Sequence, residues 1–156
     1  MTKNRLTDKY TMGFDLWGLL LFAAIMLPNI LWMFFPAPND LLRAESVTPV
    51  VDGIASFCQM LMVFCLCLII RRDAQPLRLS PILVCVCACV LGYWLAWGCY
   101  YAGLAVLPAV LLMTLLPCAA FLLYLWMRGN LIGLIPAIVF TVCHIVFAFC
   151  NFLKLG

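Results

Sequence analysis

Charge is the scarcest feature of this chain. Of its 156 residues, 10% are Asp, Glu, Lys or Arg, where soluble domains carry about a quarter. Nine Lys and Arg against six Asp and Glu leave a net charge of +3, and no basic run is longer than Arg71-Arg72. The dense basic face that neutralises a phosphate backbone is missing, which excludes nucleic acid as a partner. Histidine occurs once, at His144. There is then no cluster of His and acids at metal-ligand spacing, and no metal or other cofactor is expected. Serine and cysteine nucleophile motifs are also absent, so an enzyme is the least favoured reading.

Cysteine is plentiful, at ten residues, but the Cys-x-x-Cys of disulfide oxidoreductases does not occur. All ten lie inside apolar runs rather than at the loop positions of a disulfide scaffold. Cys65-x-Cys67 and Cys85-x-Cys87-x-Cys89 place neighbours on different faces of a helix, and only Cys85 and Cys89 share one. These thiols read as small hydrophobes in helix packing. A soft Cu(I) site with Met60 and Met62 is the competing interpretation.

What the chain has in abundance is apolar sequence, 68% of residues, with a mean hydropathy of +1.18. A helix crosses roughly 30 Å of hydrocarbon in roughly 20 apolar residues. Five segments qualify, about 13–35, 48–70, 79–102, 105–127 and 131–153. Their long unbroken runs lack the alternation of a membrane barrel strand. The expected fold is all-α, a polytopic membrane protein whose single transmembrane domain spans 1–156 as a bundle of five helices. The breaks have physical causes. Pro36-Ala37-Pro38 ends the first helix, because neither proline donates a backbone hydrogen bond. Thr48-Pro49 reads as an N-cap followed by proline at the first helical position. Arg71 to Pro76, Ala102-Gly103 and Arg128-Gly129-Asn130 make the remaining turns.

Positive charge predicts the orientation. Lys3, Arg5 and Lys9 precede span one, Arg71, Arg72 and Arg78 lie between spans two and three, and Arg128 lies between spans four and five. Five spans put all seven on one side, with Arg43 and Lys154 on the other, so a cytoplasmic N-terminus and an extracytoplasmic C-terminus are expected in a cell membrane. A signal peptide fits the first 35 residues less well, since the apolar run is too long and lacks a clean small-residue cleavage site. Trp17, Trp32 and Trp126 fall at span ends and read as headgroup anchors. Small residues mark packing strips, Ala88, Gly92 and Ala96 in span three and Gly129 with Gly133 at span five, within the bundle or across a homodimer.

Polar groups inside spans are costly and usually face a bundle interior or a wet cavity. Asp52, Ser56 and Gln59 share one face of span two, while Thr141, His144 and Asn151 share one side of span five. At 1.5 Å per residue, Asp52 lies roughly 6–8 Å and His144 roughly 13–15 Å below the outer edge. Asn29, behind Pro28, falls in the outer third of span one. Span three adds Tyr93, Trp94, Trp97, Tyr100 and Tyr101 at the same level, and aromatic faces attract cations and planar ligands. Together these residues are expected to line a pocket in the outer half, roofed by the loop carrying Asn39, Asp40, Arg43 and Glu45. Asp15 has a simpler reading, an acid favoured by a helix N-terminus.

Two functions follow. The first is binding or translocation of a small organic ligand, cationic or aromatic, with Asp52 as counter-ion. The second is a structural or regulatory subunit that acts by helix packing alone. The partners expected are the lipid bilayer, a small molecule and a second copy of the chain.

Overall fold

The computed structural model describes residues 9–38, 40–104 and 106–153. Its five long helices are α1 (Leu16–Phe34), α2 (Pro49–Leu68), α3 (Pro81–Tyr101), α4 (Val106–Met127) and α5 (Leu131–Phe152). They hold 19 to 22 residues each, a length of about 28–33 Å, which matches the hydrocarbon thickness. The outward-facing side chains include Phe57, Leu95, Ile135 and Val142, an apolar exterior that a water-soluble monomer does not present. The chain is a multi-pass, all-α membrane protein.

Local chemistry sets the helix ends. Asp15 caps α1, its carboxylate accepting from the Trp17 and Gly18 amides. Ser80 caps α3 ahead of Pro81, and Asn130 caps α5 by accepting from the Gly133 amide. Two helices end in the same reversal. Gly103 and Gly129 have φ of 69° and 64°, and the amides of Leu104 and Asn130 reach back to the carbonyls of Cys99 and Leu125. A positive φ costs glycine nothing, and the reversal satisfies carbonyls that the helix leaves open. Thr48 does stand at the N-cap of α2, but its hydroxyl donates to Asp52 instead of capping the helix.

The helices pack antiparallel, α2 on α5, α5 on α4 and α4 on α3, with α1 lying more lightly against α2, α3 and α4. Met62, Leu66, Val110, Phe121, Leu125 and Ala137 are essentially sealed from the exterior and form the core. Gly92, Ala96 and Gly133 serve these internal contacts. A Cβ on Gly133 would sit 2.9 Å from Leu125 Cδ2 and 3.0 Å from Cys65 Cβ, and one on Gly92 would sit 3.0 Å from Leu116 Cδ1. Gly129 is the turn glycine just described and lies against Arg71. Ala96 is buried, and Ala88 faces outward.

One element has no signature in the apolar pattern of the chain. The second helix stops at Leu68 rather than at residue 70, and Ile69–Arg71 (β2) pairs antiparallel with Tyr10–Met12 (β1). This ribbon closes the C-terminal end of α2: the Gly13 amide donates to the Leu68 carbonyl at 3.0 Å and the Asp15 amide to the Cys67 carbonyl at 2.8 Å. The Asn130 side-chain amide donates to the carbonyls of Cys65 and Ile69 at 2.8 and 2.9 Å. Backbone acceptors that would otherwise meet hydrocarbon or water are thereby satisfied within the protein. The ribbon, the α2–α3 loop and the α4–α5 turn share one end of the bundle, which carries Lys9, Arg71, Arg72, Arg78 and Arg128. At the opposite end, among the described residues, Arg43 is the only cation.

Candidate functional site

The residues expected to form one pocket fall into two groups. Asp52, Ser56 and Gln59 of α2 and His144 of α5 do come together, and with Ala55, Phe140 and Phe147 they line a groove of about 280 Å³. The His144 ring stacks beside Phe140, with centroids 5.0 Å apart, and near Phe147 at 6.1 Å. Asp52 accepts from the Thr48 hydroxyl at 3.1 Å. Ser56 lies on the exposed side of α2, so the groove opens sideways between α2 and α5 instead of into the bundle axis. Asn151, one turn beyond Phe147, ties the end of α5 to the loop that precedes α2: its side-chain oxygen accepts from the Val47 amide at 2.8 Å and its amide donates to Thr48 Oγ1 at 3.1 Å.

The aromatic set belongs to a different interface, between α1 and α3. Trp97 is buried with its ring 5.9 to 6.5 Å from those of Trp32, Tyr93, Tyr100 and Tyr101. These rings fill one another's space, and none of the α3 aromatics lines the α2–α5 groove. The indole N–H of Trp97 is buried without an acceptor among the described residues. Asn29 donates to the Tyr93 hydroxyl at 2.6 Å and to the Ile25 carbonyl at 3.0 Å. Pro28 leaves the Ala24 carbonyl without its helical donor, and the indole of Trp94 supplies one at 2.9 Å. Trp94 therefore satisfies the carbonyl that Pro28 leaves open, which accounts for its polar contact in an apolar interface.

The loop after α1 covers this aromatic interface and not the groove. Asp40, expected to help roof the pocket, has a nearly buried carboxylate that accepts from the Trp32 indole at 2.7 Å, the Tyr100 hydroxyl at 2.8 Å and Arg43 Nε at 3.1 Å. The Arg43 guanidinium lies 5.2 Å from the Trp32 ring centre, a cation–π distance. Trp32 is thus more than the headgroup anchor its position suggests. Glu45 is exposed, and Asn39 lies outside the described residues.

A third polar cluster, at the ribbon end, goes beyond the sequence reading. Asp15 caps α1 as expected, and its buried carboxylate also pairs with Arg128 Nε at 3.2 Å and accepts from the Tyr124 hydroxyl at 3.0 Å. Arg128 donates onward to the Gln75 carbonyl at 2.7 Å. In the sequence Arg128 signals only orientation, and Tyr124 is one aromatic among many in an apolar span. The pairing needs α1 and α4 to be adjacent, which no spacing along the chain encodes. Among the described residues, no three His, Cys, Asp or Glu side chains gather as a metal site.

The fold and these clusters define a class, a small five-helix multi-pass membrane protein with a polar groove on one flank. No protein-family model, curated protein or solved structure matches the chain.

Proposed function

We propose that this protein binds a small organic cation in the α2–α5 groove, with the ribbon end cytoplasmic and the protein resident in the cell membrane. The observation that carries the reading is the convergence of Asp52, Ser56, Gln59 and His144 on one groove of about 280 Å³ flanked by Phe140 and Phe147, close to the lower size of small-molecule sites. Asp52 supplies the counter-charge, Ser56 and Gln59 the hydrogen bonds, and the two phenylalanines faces for an apolar or cationic group. The sideways opening implies that the ligand arrives through the bilayer, as an amphiphile. The α3 aromatics are not part of this site, so the ligand need not be large or aromatic. Translocation is a further step that would require a second opening, and among the described residues the polar groups at the ribbon end, Asp15, Tyr124 and Arg128, do not line this groove.

The second reading has its own support. Polar side chains on a flank open to lipid also suit a partner helix, which would cover Ser56 and Gln59 and exchange hydrogen bonds with them. Thermal unfolding of the detergent-purified chain against a panel of organic cations separates the two. A ligand that binds only the folded state raises the melting temperature with concentration. A shift that disappears in both Asp52→Asn and His144→Phe supports binding. No shift with any cation, together with co-purification of a second membrane chain that Gln59→Leu abolishes, refutes binding and establishes the subunit role.

A further inference from the structure

The ribbon end holds a second cavity, of about 390 Å³, bordered by Arg71, Arg78, Arg128, Ser80, Leu77 and Trp126. Asp73 also lies on it, and pairs with Arg71. Arg128 is paired with Asp15, while Arg78 has no carboxylate within salt-bridge distance among the described residues. The lining therefore carries more guanidinium than carboxylate. Among the described residues, the Ser80 hydroxyl donates only to Met127 Sδ, at 3.7 Å, a weak partner that an anionic oxygen would displace.

A third, apolar cavity of about 380 Å³ runs between α1 and α3, lined by residues that include Trp17, Leu21, Val86, Val90 and Leu91. Leu77 borders both cavities. From the start of α3 to Leu91 is a rise of about 15 Å, half the hydrocarbon thickness and hence the depth of one leaflet. A basic cup at the membrane surface that shares a wall with an apolar channel one leaflet deep has the shape and polarity of a single lipid. We propose that an anionic phospholipid binds here, its phosphate held by Arg78, Arg128 and Ser80 and one acyl chain lying along the α1–α3 channel. Arginine forks suit phosphate oxygens, and basic pockets at span ends recognise acidic head groups. A free phosphate ester would use the cup and leave the channel empty, so the channel commits the site to lipid.

Native mass spectrometry of the delipidated full chain provides the test, with phosphatidylglycerol, phosphatidylcholine and soluble glycerol 3-phosphate as probes. Phosphatidylglycerol is expected to bind more tightly than phosphatidylcholine. Arg78→Gln should weaken it roughly fivefold, the contribution of one arginine near an acidic surface, and Arg78→Lys should restore most of the loss. Cys87→Trp, which fills the channel from an exposed position on α3, should weaken it as well. Equal affinity for the two lipids, or an unaffected Arg78→Gln, overturns the proposal. Competition by glycerol 3-phosphate as strong as by the lipid, with Cys87→Trp unaffected, overturns it in favour of a soluble phosphate ester.

Discussion

Asn130 allows the closure of the ribbon end to be tested with a change of sign. Its side chain is 3% exposed and makes three hydrogen bonds: the oxygen accepts from the Gly133 amide at 3.0 Å, and the amide donates to the Cys65 and Ile69 carbonyls at 2.8 and 2.9 Å. Asn130→Ala removes all three. Loss of the N-cap costs about 1 kcal/mol. The Cys65 carbonyl keeps its bond from the Ile69 amide, so one half-buried acceptor, that of Ile69, loses its side-chain donor, at about 1–2 kcal/mol. The total is about 2–3 kcal/mol, a fall in melting temperature of roughly 5–10 °C for a chain of this size. Asn130→Asp discriminates between the two roles. Aspartate is as good an N-cap as asparagine and is favoured by the helix dipole, but it cannot donate, and it sets a carboxylate against two carbonyl oxygens. If the donors to α2 matter, unfolding in detergent should rank wild type above Ala and Ala above Asp. Should Asp melt like wild type and above Ala, Asn130 is only a cap for α5, and the account of how α2 is closed is wrong.

Three further outcomes follow from the same contacts. Arg128→Met should destabilise by about 3 kcal/mol, because it leaves the buried Asp15 carboxylate without its counter-charge, and Asp15→Asn with Arg128→Met should recover part of that loss in a double-mutant cycle of chemical unfolding. Trp94→Phe should cost about 1 kcal/mol by removing the donor to the Ala24 carbonyl, and the loss should shrink in a Pro28→Ala background, where the helix amide returns; an equal loss in both backgrounds would show that Trp94 acts by packing alone. The Arg71 hydrogen bond holds the exposed Asp73 carboxyl below its ordinary pKa of 3.8. A lowered pKa means this contact stabilises the fold above the ordinary carboxylate range and is lost as pH falls below it. Carboxyl NMR should therefore show Asp73 titrating at higher pH in Arg71→Gln.

The sequence alone determined what repeats or accumulates along the chain. Five apolar runs of spanning length, the proline and glycine breaks, and the bias of Lys and Arg toward alternate loops are local signals, and the helices follow them to within a few residues. The faces of single helices were legible for the same reason: the spacing of Asp52, Ser56 and Gln59 alone puts them on one side of α2. The meeting of that face with His144 was inferred from matched depth and depends on α5 being the neighbour of α2. Depth is not adjacency, however. Tyr93, Trp97 and Tyr100 lie at a similar level on α3 and face α1, so they fill a different interface, and Asp40 joins them rather than roofing the groove. Residues whose role depends on a partner chosen by packing were not legible. Arg128, Tyr124 and Asn130 acquire their roles only when α1 and α2 come against the α4–α5 turn, and residues 69–71 leave the helix because β1 offers them hydrogen bonds. Tertiary structure decided these, because bilayer insertion selects for apolar length and is nearly indifferent to which helix lies beside which, whereas side-chain hydrogen bonds and close glycine contacts exist only between particular neighbours.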